Sequence, residues 1–111
     1  MDLIAMLRLS REEFTSATRR SAIGRARYAG LLRNVAVALG NAGDPEAGPA
    51  LIEALAHPEP LVRGHAAWAL AHLGLGKARR PLTERLRWEE NPDVRDELQW
   101  ALSQLDGPPS P

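Results

Sequence analysis

A stretch of fourteen residues recurs at a constant distance along the chain. Pro60-Leu61-Val62-Arg63-Gly64-His65-Ala66-Ala67-Trp68-Ala69-Leu70-Ala71-His72-Leu73 aligns with Pro92-Asp93-Val94-Arg95-Asp96-Glu97-Leu98-Gln99-Trp100-Ala101-Leu102-Ser103-Gln104-Leu105 at an offset of 32, matching at Pro, Val, Arg, Trp, Ala, Leu and Leu. Seven identities at one offset mark an internal repeat, and a repeat of this size is one supersecondary unit that buries its apolar face only by stacking on a neighbour. A weaker copy, Leu31 to Leu39, aligns with Leu61 to Leu70 if one residue is skipped after Asn34.

Each later copy is led by a second amphipathic segment. Pro45 to Ala56 carries Ala50, Leu51, Ala54 and Leu55, and Arg80 to Glu89 carries Leu82 and Leu86. Asp44 followed by Pro45 predicts an N-cap with proline at the first helical position, and His57-Pro58-Glu59-Pro60 and Glu90-Asn91-Pro92-Asp93 predict stops between paired helices. Val62, Ala66, Ala69 and Leu73 fall at i, i+4, i+7 and i+11, a stripe whose small residues let helices approach closely. The expected fold is all-α: a short α-solenoid of HEAT-like antiparallel helix pairs, with a repeat shorter than the ~40 residues usual for that class.

In front of the repeats, Ser10-Arg11-Glu12-Glu13 matches a capping box and starts a helix with Phe14 and Ala17 on its apolar face. A break is expected at Gly24 or near Arg20-Ser21, followed by a second short helix ending at Gly30. Gly40-Asn41-Ala42-Gly43 reads as a helix C-terminal turn with glycine in the left-handed region. Three divisions follow: residues 1–43, with a capped helix, a basic segment and a partial repeat; 44–106, with two repeats; and 107–111, a Pro-rich disordered tail. Glu89, Glu90, Asp93, Asp96, Glu97 and Asp106 read as a polar cap on the last repeat.

Composition narrows the chemistry. The 111 residues are 44% hydrophobic and 25% charged, the balance of a folded chain. The absence of cysteine excludes disulfides, thiolate nucleophiles and cysteine-ligated zinc or iron-sulfur clusters from this chain. Leu3 to Leu7 is too short for a membrane span and Arg8 interrupts it, so a cytoplasmic protein without membrane contact is expected. The zero net charge hides an asymmetry, since residues 1–43 carry +4 and residues 44–111 carry −4.

The positive charge concentrates between residues 16 and 33, where Arg19, Arg20, Arg25, Arg27 and Arg33 stand with no acid among them. Such a field of one sign suits a row of phosphates; the alternative is a solvated face paired with acids of a neighbouring helix. A second cluster, Lys77, Arg79, Arg80, Arg85 and Arg87, either extends that surface or pairs with the acids that follow it. Arg63 and Arg95, with Arg33 as a counterpart, read as structural ties between repeats. Asn34 offers its amide at a helix start beside Arg33. Trp68 and Trp100 read as packing between repeats rather than as stacking platforms for bases. His65 and His72 lie ~10.5 Å apart along a helix, too far to share one zinc. No serine stands in a nucleophile-elbow context, so no catalytic constellation is expected.

Leu9-Ser10-Arg11-Glu12-Glu13-Phe14, Ser21-Ala22-Ile23, Arg25, Gly30-Leu31-Leu32-Arg33-Asn34 and Ala38-Leu39-Gly40-Asn41, followed by Asp44-Pro45 and the Leu61-Val62-Arg63 repeat, together resemble the C-terminal region of epoxyqueuosine reductase. The resemblance spans roughly residues 3–105. It implies a part in queuosine biosynthesis, where the family reduces an epoxide on the tRNA wobble base with cobalamin and two iron-sulfur clusters. Those cofactors belong to upstream regions, so none is expected here. The chain is then either a truncated or separately encoded tail, or a paralogue that keeps only the repeats. The resemblance further implies tRNA as partner, with Arg25, Arg33 and Asn34 as docking positions and a separate protein carrying the cofactors. Arg19, Arg20 and Arg27 join that site on charge alone. The alternative function is a scaffold for protein–protein interaction.

Overall fold

The computed structural model describes residues 2–9 and 22–106, apart from the side chains of Ala22, Ile23 and Arg25. The capping box at Ser10, Phe14, Arg19, Arg20 and the 107–111 tail lie outside the described residues. The described part is helical: α1 (Leu3–Leu7), α2 (Ala22–Ala42), α3 (Gly48–Ala54), α4 (Pro60–Leu73), α5 (Arg79–Trp88) and α6 (Pro92–Asp106). Single 3-10 turns, Pro45–Ala47 and Gly76–Ala78, lead into α3 and α5.

The local signals explain the boundaries. The Asp44 side chain accepts from the Glu46 N–H and caps the turn that Pro45 opens. Pro60 and Pro92 each occupy the first helical position, where the missing N–H costs nothing. Asn91 Oδ1 accepts from the Asp93 and Val94 N–H groups, so the turn before α6 satisfies donors that the helix itself leaves unpaired. Gly43 and Gly74 close α2 and α4 at φ 72° and 67°, a left-handed region that glycine enters without steric cost.

Packing builds the stack. Helices α2, α4 and α6 lie side by side, while α3 packs on α4 and α5 on α6. Leu32, Leu51, Val62, Leu70, Leu82 and Leu98 are fully buried, one or two from each helix except α1. Helix α4 is covered from three directions, which is why Ala66, Ala67 and Ala69 are at 0% exposure: larger side chains would hold its neighbours apart. The α2–α4 crossing is tightest at Gly40, where a Cβ would stand 2.8 Å from the Trp68 ring and 3.1 Å from the Ala69 Cα.

The expected short helix ending at Gly30 is corrected. Helix α2 runs without interruption from Ala22 to Ala42, through both Gly24 and Gly30. Glycine inside a helix costs about 1 kcal/mol against alanine, but Tyr28, Leu32, Val35, Ala36 and Leu39 bury one continuous face across the site of the supposed break. Tertiary packing outweighs local preference there.

Candidate nucleic-acid interface

Helix α2 carries the described members of the basic stretch. Arg27 and Asn34 are seven residues apart, two turns, and so stand on one line of the helix about 10.5 Å apart. That line faces away from the buried Tyr28–Leu32–Val35–Leu39 face, and both side chains are exposed. Arg33 reaches round to join them: its Nε and Nη2 donate to Asn34 Oδ1 at 3.2 and 3.1 Å. The fork therefore consumes the one acceptor of the Asn34 side chain. What remains outward, Arg33 Nη1, the Asn34 amide N–H groups and the Arg27 guanidinium, are donors only, with no partner among the described residues.

Arg25 lies two residues before Arg27 and thus on another line of α2, that of Ala29 and Leu32. No acid occurs anywhere in α2. Glu53, on α3, is engaged by Arg8, whose Nη2 meets Oε2 at 2.7 Å.

The second basic cluster behaves differently. Arg79 Nε meets Asp106 Oδ1 at 3.1 Å and its Nη2 donates to the Leu105 carbonyl. Arg85 Nε lies 3.1 Å from Glu89 Oε1, and Arg87 Nη1 lies 3.6 Å from Glu84 Oε2. Lys77 and Arg80 alone in this cluster have no such partner among the described residues. Pairing with the acids that follow is thus the observed fate of Arg79 and Arg85, while Arg87 pairs with Glu84 inside the cluster.

Arg63 ties one repeat to the next, whereas Arg95, in the last repeat, ties the inter-helix turn of its own pair. Arg63 holds Glu89 of the next repeat in a two-pronged pair, Nε to Oε1 at 2.7 Å and Nη2 to Oε2 at 2.8 Å, and its Nη1 donates to the carbonyls of His57 and Pro58. Arg95 Nη1 donates to the carbonyls of Leu86 and Glu89. Both arginines stand in the first turn of their helix, whereas Arg33 is in the middle of α2. Arg33 is therefore no counterpart of Arg63, and Asn34 stands at no helix start. Glu89 is likewise corrected: it is no solvated cap residue but 3% exposed. Burial alone would push its carboxyl up, yet hydrogen bonds from Arg63, the Asn91 N–H and Arg85, with the Arg63 charge, bring it down to about 2.

A second tie escaped the sequence reading. The Glu59 N–H donates to His57 Nδ1, which leaves the proton on Nε2 to donate to the Tyr28 hydroxyl, which in turn donates to the Leu9 carbonyl. This chain joins the residue after α1 to α2 and to the turn before α4. Burial holds the His57 imidazole below its usual range, with the Glu59 charge raising it and the Arg63 charge lowering it.

Trp68 packs on Gly40 of the preceding helix and stacks on His72, with centroids 4.7 Å apart, while Trp100 remains 41% exposed. His65 Nδ1 bonds the Leu61 carbonyl. Among the described residues no group of three or more His, Asp or Glu side chains is placed to hold a metal, and no helix is long and apolar enough to cross a membrane.

Comparison with known proteins places these features in context. A family model of HEAT repeats matches residues 20–103. The epoxyqueuosine reductase of Shigella dysenteriae serotype 1 is 43% identical over 70 residues, which is 63% of this chain and 18% of the relative. The Escherichia coli K12 epoxyqueuosine reductase is 41% identical over the same extent. The chain thus spans under a fifth of the length of these relatives. Among solved structures, an epoxyqueuosine reductase with an epoxyqueuosine-modified tRNA-Tyr stem loop superposes with a TM-score of 0.81 at 28% identity, covering 95% of this chain and 28% of that one. The Bacillus subtilis epoxyqueuosine reductase superposes at 0.79, also at 28% identity, over 93% of this chain and 28% of that one.

Proposed function

The chain belongs to the HEAT-repeat family, and from that premise we propose that it is a non-catalytic tRNA-docking module acting in queuosine modification. Arg27, Arg33 and Asn34 on α2 grip phosphates of a tRNA stem, with Arg19, Arg20 and Arg25 of the same stretch adding to the field. The observation that carries the reading is the donor-only surface of α2: the Arg33–Asn34 fork uses up the local acceptor, and the helix contains no carboxylate to neutralise its guanidiniums. The similarity to an epoxyqueuosine reductase solved with a tRNA stem loop supports the choice of polyanion.

Contacts of this kind fix position and orientation without reading bases. The helix sets the spacing of these residues along its axis, and the bond to Asn34 holds the Arg33 guanidinium, so less of its side-chain freedom is lost on binding. In this reading epoxide reduction, with the cobalamin and iron-sulfur clusters it uses in the family, falls to a partner protein, since this chain has no cysteine to ligate an iron-sulfur cluster. The alternative role is a HEAT-repeat scaffold for protein–protein interaction.

The test is an anisotropy titration of the chain with a tRNA-Tyr anticodon stem loop. Arg27→Glu with Arg33→Glu is expected to weaken binding by about tenfold or more, with the melting temperature unchanged. Equal affinity for wild type and the double variant would remove α2 from the interface.

A further inference from the structure

The N-terminal ends of α4 and α6 part to leave a cavity of about 230 Å³, with Pro60, Leu61 and Val94 as apolar walls and Asp93 and Glu97 at the rim. A second cavity of about 170 Å³ continues it along α4 through Gly64 and His65 to Trp68 and Val37. The two share Gly64, His65 and Glu97, so they form one groove crossing the repeats.

Two features of this groove have no explanation among the described residues. Leu61 lines the first cavity and is left 39% exposed. Gly64 stands inside α4, where glycine is less favourable than alanine, yet a Cβ there would meet only Glu97 Cγ at 3.6 Å, an ordinary contact. Nothing internal requires that glycine, unlike Gly40 against Trp68. The next repeat has Asp96 at the equivalent position.

The charge at the rim selects the occupant. Asp93 and Glu97 make no ion pair among the described residues, and no Lys or Arg lines either cavity. A polyanion is repelled there, whereas a cation beside an apolar group is matched on both counts. We infer that this groove docks an extended segment of a partner protein, one that presents an aliphatic side chain next to lysine or arginine. The aliphatic group fills the space beside Leu61 and Val94 over the Gly64 backbone, and the cation meets Asp93 and Glu97. The groove reaches Val37, one turn from Arg33 and Asn34, so it borders the donor-only line on α2 and differs from it in charge, acidic here and basic there.

The experiment titrates the chain with three short fluorescent peptides that differ only in the residues flanking a central leucine: arginine, glutamine or glutamate. The arginine peptide is expected to bind at least about tenfold more tightly than the glutamate peptide, with amide NMR shifts centred on Leu61, Gly64, His65 and Val94. In the Asp93→Lys/Glu97→Lys variant the preference is expected to invert while affinity for the tRNA stem loop does not fall, which separates this proposal from the α2 reading. Gly64→Ala, which the structure accommodates, should leave folding intact and weaken the arginine peptide. Equal binding of all three peptides, shifts centred elsewhere, no detectable binding, or an unchanged preference in the double lysine variant would each overturn the inference.

Discussion

Helices α2 and α5 both carry several arginines, Arg25, Arg27 and Arg33 on a mostly apolar α2 and Arg79, Arg80, Arg85 and Arg87 on a mostly polar α5, and the structure treats them in opposite ways. On α5, Arg85 and Arg87 find Glu89 and Glu84 within a turn, and Arg79 finds Asp106 at the end of α6. On α2 no acid occurs, and Arg33 turns instead to the neutral amide of Asn34. Guanidinium count is thus a poor guide to a binding face. What decides is whether carboxylates stand within one helical turn or across the packed neighbour.

The strongest way to sharpen that contrast is at the buried end of the paired class. Removing the Arg63 side chain takes the two-pronged partner from Glu89 at 3% exposure and leaves it only Arg85 and the Asn91 N–H, so Arg63→Ala is expected to cost about 3 kcal/mol in urea unfolding. Arg63→Met combined with Glu89→Leu should recover most of that loss. Almost as large is the acid response. The Glu89 carboxyl is held at about 2 in the fold against 4.5 in the unfolded chain, so its contribution is present above pH 4.5 and fades as pH falls toward 2. The loss amounts to about 3 kcal/mol, and Glu89→Gln should lack this limb of the pH–stability curve.

A middle-sized effect distinguishes the two helices by function: Arg27→Glu with Arg33→Glu should cost about tenfold in stem-loop affinity, and Arg79→Glu with Arg87→Glu less than about twofold. Equal losses from both pairs would dissolve the contrast. Smaller again is the Tyr28–His57 tie. Its imidazole is kept neutral by burial, so the bond from the Glu59 N–H to His57 Nδ1 contributes above pH 6.5 and is lost as pH falls below it and Nδ1 takes up a proton. Tyr28→Phe should cost about 1 kcal/mol with that part of the melting-temperature profile kept, and His57→Gln should flatten it.

The repeat was legible because stacked helices leave a strong trace. Val62 and Val94, Ala66 and Leu98, and Ala69 and Ala101 are buried in register, and the prolines that stop and start the helices are local signals. Helix α2 was cut at Gly30 because a glycine's local cost is visible in sequence, whereas the packing of Tyr28, Leu32 and Leu39 against other helices is not. Glu89 was misplaced for a related reason. It begins a run of acids, and only the turn before α6 reveals that it points back to Arg63, 26 residues earlier.

At the site, the absence of acids around Arg27 and Arg33 could be read from sequence, but the donor-only surface could not, since it depends on where the Asn34 oxygen points. The groove beside Gly64 left one trace, a glycine within a helical pattern, which the repeat alignment pairs with Asp96.

The most direct measurement is the salt dependence of stem-loop binding, taken for wild type, Arg33→Gln and Arg87→Gln under identical conditions. If α2 meets phosphates while α5 neutralises itself, Arg33→Gln reduces the slope of log affinity against log salt by about 1, and Arg87→Gln leaves it unchanged. A slope that is the same in all three proteins, or one that falls only in Arg87→Gln, contradicts the account.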